Sequence, residues 1–285
     1  MKSTLYITNT ELLYGVNMSI LYTNNNVISN ISSITHTVDT GTVTSETALS
    51  NIAKRSILGG YQFTCTDSAT HTIEITFDEL MGIDAVSLLG WSGVGSLQNL
   101  EIEVKNNSDT TIGTLNEAGV DTSRRRYISE TNLTDWIWDV NFSINPVKKF
   151  VITFDTSSGI SARLGILGGW NETELQIKPS SLNYKFESQG IKQRTTGGQI
   201  VASKNNSYMQ SSFTTTATKE TDVVDKYFNI NYQSSISEPL IFIAQQDENI
   251  MLYGTQQKPN STRCLLAKDG VEWLYETSFS IEEEL

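Results

Sequence analysis

The chain contains two histidines and two cysteines, the side chains that most often bind transition metals. His36 and His71 lie in Ser/Thr-rich segments without HxH or HExxH spacing, and Cys65 and Cys264 are far apart without CxxC spacing. Metal clusters and dense disulfide frameworks need closer spacings than these. The sequence therefore predicts buried free thiols and no transition-metal site.

Residues 90–95, Gly-Trp-Ser-Gly-Val-Gly, come nearest to a catalytic or phosphate-binding glycine motif. Their order differs from the G-x-S-x-G of a nucleophile elbow, and the third glycine of a dinucleotide-binding loop is absent. The segment therefore predicts a plain loop.

Asp78, Glu79 and Asp84 could serve in acid/base chemistry or hold a structural calcium ion, although no DxDxDG-like run of ligands is present. A glycan-processing site would need two carboxylates about 5 to 10 Å apart across a cleft, and the sequence places no such pair. We therefore expect no enzyme activity and no cofactor, and leave a structural calcium ion open.

Aromatic side chains can stack on the faces of sugar rings, and five are candidates for this role: Trp91, Tyr127, Trp136, Trp138 and Trp170. Trp136 and Trp138 are two residues apart and share one face of a strand, which favours a core role over a stacking platform. Trp91 directly follows Leu-Leu-Gly, which favours an end loop. Trp91 and Tyr127 are retained as candidate glycan contacts.

The net charge of −12, from 32 acidic and 20 basic side chains, argues against nucleic acid as a partner. The run 124–126, three arginines, is typical of a solvated turn. The N-terminus lacks the apolar core of a signal peptide, and no stretch reaches the roughly 18 apolar residues of a membrane span. These observations predict synthesis and folding inside the cell.

Apolar and polar residues alternate along much of the first 170 residues. Within 72–77, for example, Ile73, Ile75 and Phe77 share one face, as in a half-buried strand. Regularly spaced strands with turns between them predict an antiparallel jelly-roll sandwich over residues 1–172.

Residues 173–285 predict a smaller β-rich domain that contains one helix. The helix is expected near 219–232, where Val223, Tyr227 and Ile230 follow helical spacing. The whole chain is therefore predicted to be mainly β.

Several segments of the first domain resemble discoidin-type, galactose-binding-like domains. Residues 75–78 and 82–90, ITFD and GIDAVSLLG, resemble a characteristic strand pair of that family, and 150–154 and 162–169 resemble its final strands. The resemblance implies a jelly roll with ligand contacts in its end loops, and a structural calcium ion in some members.

The second domain has a distinctive order of segments: the glycine-containing run 189–202, the strand 208–213, the helix, and the strand 238–242. Placed after a galactose-binding-like domain, this order is similar to virion and tail proteins of tailed bacteriophages. The resemblance implies a non-enzymatic structural protein of the tail or its tip, made in the host cytoplasm. Its implied partners are copies of itself in a ring and other virion proteins.

Gly197, Gly198 and Gln199 are the candidate assembly strand. A glycine pair permits backbone conformations that a Cβ atom forbids, and a strand beside it can present main-chain groups to a neighbouring subunit. The same pair could instead form a hairpin turn. The alternative function is a host-glycan receptor-binding module, which exposed aromatics around a polar end-loop pocket would favour.

Overall fold

Strands dominate the computed structural model of the protein. It describes residues 18–24, 30–54, 59–91, 98–116, 125–126, 134–140, 142, 146–188, 192–194, 200–202, 207–219, 223–228, 230, 238–243, 250–265 and 273–283. Strands are numbered here in chain order. The prediction of a mainly β chain with antiparallel sheets is confirmed, and Arg125–Arg126 with Ile250–Gln256 is the one parallel pair among the described strands.

A five-stranded antiparallel sheet carries the alternating pattern seen in the sequence. Its strands, in spatial order, are β2 (Ile31–Val38), β5 (Ala69–Met81), β11 (Val147–Thr156), β7 (Gln98–Lys105) and β8 (Thr111–Asn116). Alternate side chains of β5, including Ile73, Ile75 and Phe77, are buried as predicted. One face of this sheet therefore forms the wall of a hydrophobic core.

A three-stranded sheet lies on the other side of that core. Its strands, in spatial order, are β12 (Ser161–Leu164), β4 (Tyr61–Cys65) and β3 (Val43–Ser45). Phe63 of β4 and Phe154 of the five-stranded sheet belong to one cluster of buried residues, with ring centroids 6.4 Å apart. The two sheets thus form a sandwich.

The largest sheet extends through both halves of the chain. Its strands, in spatial order, are β10 (Thr134–Asp139), β6 (Ala85–Trp91), β13 (Ile166–Gln176), β1 (Met18–Asn24), β19 (Leu240–Ile243), β20 (Ile250–Gln256), β22 (Leu274–Glu283), β17 (Ser207–Thr214) and β14 (Asn183–Ser188). Three short strands pair beside this path: β18 (Thr218–Lys219) and β21 (Ser261–Leu265) with β22, and β9 (Arg125–Arg126) with β20.

Two clusters of buried residues lie against the second half of this sheet. In one, Phe213 stacks between Phe242 and Phe279 at centroid distances of 4.3 and 5.1 Å. The other contains Trp170 and Tyr253, whose rings meet edge to face. A separate hairpin pairs β15 (Lys192–Arg194) with β16 (Ile200–Ala202).

Strand β13 runs through the predicted domain boundary after residue 172. Its first residues pair with β6, and the rest of the strand pairs with β1, which also pairs with β19. The N-terminal strand β1 therefore lies between strands of the two predicted domains. The division into 1–172 and 173–285 remains a prediction, and strand β13 is continuous through this boundary.

Helical structure is limited to short segments in the described residues. Two are 3-10 turns, Leu49–Ala53 and Pro179–Ser181, and one is a π-helical turn, Val223–Phe228. The helix predicted near 219–232 is thus represented by this six-residue turn and by the helical residue Ile230, and Lys219 belongs to β18. None of the helices in the described ranges is long and apolar enough to cross a membrane.

Candidate functional site

Three connections cross between the two sheets of the sandwich at the same end. They follow β2, β4 and β11 and consist of residues 39–42, 66–68 and 157–160. Gly41 and Gly159 have φ values of +74° and +70°, a region that a side chain disfavours, so each glycine suits a tight reversal. The sandwich end is therefore built from short polar turns.

Hydrogen bonds between these turns hold them together. The Thr40 hydroxyl donates to the Ser68 carbonyl at 3.0 Å. The Ser158 amide donates to the Ser68 Oγ at 3.1 Å, and the Ser158 hydroxyl donates to the Thr66 carbonyl at 2.8 Å. All three connections thus form one hydrogen-bonded layer.

An open pocket of about 310 Å³ lies at this end of the sandwich. Its lining is mostly polar and consists of Asp39, Ser68, Ala69, Thr70, Asp155, Thr156 and Ser157. Hydroxyl groups and carboxylates therefore face the solvent of the pocket. We call this feature the end pocket.

Thr70 connects the two carboxylates of the end pocket. Its backbone amide donates to Asp39 Oδ1 at 2.8 Å, and its hydroxyl donates to Asp155 Oδ1 at 2.7 Å. The side-chain amide of Asn99 donates to Asp155 Oδ2 at 2.6 Å. The bond from the Thr70 backbone keeps the pKa of Asp39 below its ordinary value, so Asp39 is an anionic acceptor at neutral pH.

A chain of hydrogen bonds connects the end pocket to the interior of the sandwich. His71 Nε2 lies 2.8 Å from the hydroxyl of Thr156, and His71 Nδ1 lies 3.0 Å from His36 Nε2. His36 Nδ1 lies 3.0 Å from the Tyr61 hydroxyl, which lies 2.9 Å from Ser45 Oγ. We call these five residues the histidine chain.

Both imidazoles of the histidine chain have lowered pKa values. Burial is the main cause for His36, with the charge of His71 as a second cause, and its pKa is about 4. Burial also lowers the pKa of His71, against the opposing effect of Asp39 and Asp155. The pair is therefore neutral at physiological pH.

The sandwich end offers hydrogen-bond donors and acceptors. Among the described residues, no three His, Cys, Asp or Glu side chains lie close enough together to hold a metal ion. Asp78 instead accepts a hydrogen bond on its carbonyl from Lys148, and Asp84 Oδ2 accepts from the Glu172 amide. A structural calcium ion stays an open prediction.

Trp91, one of the two candidate glycan contacts chosen from the sequence, does not line the end pocket. Trp91 is the last residue of β6 and is fully buried, with its ring edge-on to Phe154, so the prediction of an end-loop position was wrong. Its bulk fills the core of the sandwich instead. Tyr127 lies outside the described residues.

Two other tryptophans are also core residues. Trp138 is 4% exposed, as the shared-face argument predicted, and Trp170 is 2% exposed with its Nε1 donating to Ser87 at 2.7 Å. Gly197, Gly198 and Gln199 lie outside the described residues, between the paired strands β15 and β16. The assembly strand therefore remains a prediction.

Sequence reasoning missed the residues that form the end pocket. Asp39 directly follows β2, and Asp155 lies at the end of β11. In both places a threonine comes next, and a glycine follows within four residues of the aspartate. That repeated turn sequence was the available signal. His71 carried a second signal, because it shares the inward face of β5 with Ile73.

Comparisons with known proteins find distant structural likeness only. No protein-family model and no curated protein matches the chain. A carbohydrate-binding module, CBM32-3 from a family 31 glycoside hydrolase of Clostridium perfringens, is 14% identical with a TM-score of 0.34 and covers 50% of this chain and 92% of its own. An F-lectin from striped bass (Morone saxatilis) serum is 8% identical with a TM-score of 0.32 and covers 93% of this chain and 99% of its own.

One phage protein is also among the similar solved structures. The enzymatically active domain of tailspike protein 4 from bacteriophage CBA120 is 14% identical with a TM-score of 0.29. The likeness covers 52% of this chain and 20% of the tailspike chain. Because these likenesses are so distant, the functional proposals below depend on the geometry of this chain.

Proposed function

We propose that the protein is a glycan-binding module that holds a saccharide in the end pocket. The observation that carries this proposal is the lining of the pocket, in which Asp39, Thr70, Asp155 and Thr156 present oxygen atoms fixed by hydrogen bonds. Saccharides are recognised through arrays of hydroxyl groups, which both donate and accept. A pocket of fixed oxygen acceptors and hydroxyl donors complements them.

The polar groups of the pocket are held in place before a ligand arrives. Thr70 bonds both carboxylates, and Asn99 holds the second oxygen of Asp155. Such preorganisation reduces the entropy lost on binding and favours affinity from few contacts. No catalytic step is assigned to the pocket, and the proposed role is recognition.

Screening on a glycan array followed by calorimetric titration of the hits tests this proposal. Asp155→Asn replaces a carboxylate oxygen and is expected to weaken binding by about tenfold or more, the effect of losing a charge-assisted hydrogen bond. Thr70→Val removes the hydroxyl that fixes Asp155 and is expected to weaken binding less.

Asp109→Asn is the matched control. Asp109 lies beyond β7 at the opposite end of the five-stranded sheet, where it pairs with Lys149. Its substitution removes the same charge and should leave binding unchanged. Absence of any array hit, or equal binding by all three variants, contradicts the proposal.

We also propose, as a second candidate, a structural role in the tail of a phage virion. The specific observation in its favour is β14, the last strand in the path of the largest described sheet, with Phe186 51% exposed on it. Terminal strands and exposed apolar side chains favour association between subunits. The proposed partners are copies of the same chain and other virion proteins, and the two functions are compatible.

Light scattering over a concentration series and antibody labelling of virions test the structural role. Phe186→Lys is expected to dissociate an oligomer that forms through β14. Phe228→Lys, at a different surface position with 48% exposure, is the matched control. A monomer at all concentrations that is absent from virions contradicts this second proposal.

A further inference from the structure

The histidine chain joins the two sheets of the sandwich to the wall of the end pocket. His36, His71 and Thr156 belong to the five-stranded sheet, whereas Tyr61 and Ser45 belong to the three-stranded sheet. Thr156 is 5% exposed and lines the pocket. A change in the hydrogen bonds of the chain therefore reaches the ligand-binding surface directly.

The number of protons on the two imidazoles determines how the histidine chain responds to acid. Two neutral imidazoles carry two N–H groups, and one of these must occupy the contact between His36 Nε2 and His71 Nδ1. Two arrangements then satisfy every bond, and in one of them the Thr156 hydroxyl donates to His71, while in the other it accepts. The neutral pair thus lets Thr156 serve either kind of ligand atom.

One added proton removes this freedom. Both outer nitrogens of the pair must then donate, so the Thr156 hydroxyl accepts from His71 and its own proton is directed away from His71, towards the pocket. A second proton would place two N–H groups against each other across 3.0 Å and would break the contact. The pair therefore changes its bonding pattern at each protonation step.

Among the described residues, two carboxylates act on the charge of the pair. Asp39 and Asp155, on the turn after β2 and on β11, favour a positive charge on His71, and burial opposes it more strongly. The facing strand β4 contributes Tyr61, whose pKa is raised by burial, and the buried thiol Cys65. The segment Leu49–Ala53, which packs on β2 and β4, carries no charged side chain.

We propose that the histidine chain makes saccharide binding in the end pocket sensitive to acid, so that the neutral pair binds and the protonated pair releases. The inference rests on the proposed glycan-binding function. A ligand in the pocket excludes water beside Thr156 and Asp155 and so disfavours a buried imidazolium further. By linkage, the protonated pair binds the same ligand more weakly.

Titration of an array-identified saccharide between pH 7 and pH 4 tests this inference. The affinity should be level near neutral pH and should fall as the pH approaches 4, the approximate pKa of His36, where protonation of half of the His36 rings is expected to reduce it about twofold. The double variant His36→Gln/His71→Gln keeps side chains that can donate and accept but cannot titrate, and its affinity should stay level. A level wild-type profile, or an equal fall in the double variant, overturns the proposal.

A second measurement needs no ligand and separates this inference from the glycan-binding proposal. His36 and His71 are the only histidines of the chain, so ring-nitrogen NMR on untagged protein reports them alone. Linked titration well below the ordinary pKa is expected, and Thr156→Val should shift the His71 ring nitrogens. Independent titration near the ordinary value, or no shift in Thr156→Val, overturns the coupling even if a saccharide binds.

Discussion

Two buried polar sites, one in the sandwich and one in the largest sheet, differ in the hydrogen bonding of their side chains. In the sandwich, His71 and Thr156 are buried and every ring nitrogen of the histidine chain has a partner. In the largest sheet, Gln256 and Ser211 are 2% and 1% exposed, and within the described structure the Gln256 amide and the Ser211 hydroxyl have no hydrogen-bond partner.

Gln256 and Ser211 lie in one row across the largest sheet. Gln256 and Ser211 are both register partners of Ile281, so all three side chains project from the same face. An unpaired polar group in such a place costs free energy, whereas a paired one is close to neutral. The comparison teaches that burial of a polar side chain is no guide to its effect until its partners are counted.

Substitution of His71 should give the largest effect. His71→Leu removes one partner from Thr156 and one from His36, which remain buried or partly buried, and should lower the free energy of unfolding by roughly 3 kcal/mol. Urea denaturation measures the change. A loss below about 1 kcal/mol would remove the contrast between the two regions.

The pH dependence of stability should give the next largest effect. Both histidines bind protons less readily in the folded than in the unfolded state, so stability is highest above the unfolded pKa and falls as the pH decreases towards 4, the approximate pKa of His36. His36 should contribute roughly 2 kcal/mol, allowing for the partial solvent contact of its ring. Urea denaturation at several pH values checks this, and the double variant His36→Gln/His71→Gln should lack this component.

Gln256→Met should give the smallest effect and the opposite sign. Methionine is similar in size and has no donor or acceptor to leave unpaired, so the free energy of unfolding should rise by about 1 kcal/mol. Thermal or urea denaturation measures it, with Gln257→Met as the control, because the exposed Gln257 bonds Glu282 and Ser280. Destabilisation by Gln256→Met would show that this amide has a partner after all.

The strands were largely predictable because the apolar residues that alternate in the sequence are the ones that alternate between buried and partly exposed positions in the structure. Residues 72–77 form part of β5, and residues 150–154, which were compared with a final strand of galactose-binding-like domains, lie within β11. The full length of the largest sheet was not predictable, because β1 pairs with strands that are distant in sequence. Local pattern carries no information about such pairing.

The end pocket was not predicted because its residues lie on or directly beside three connections that are far apart in sequence. Asp39, Thr70 and Asp155 come together only when the three connections meet at one end of the sandwich. The end-loop position predicted for Trp91 was wrong because the glycine before it was taken as the end of the strand. The strand includes Trp91, and its ring is buried in the core. His36 and His71 looked isolated in sequence and are bonded across adjacent strands.

The central position of β1 has a consequence for how the chain folds. Ile20 pairs with Glu174 on one side and with Ile243 on the other, so β1 can complete its pairing only after β13 and β19 have been synthesised. Contacts this distant in sequence slow folding, because the intervening loops must close before the contacts form. During synthesis β1 therefore lacks both partner strands until β13 and then β19 emerge, and the sheet closes around it only then.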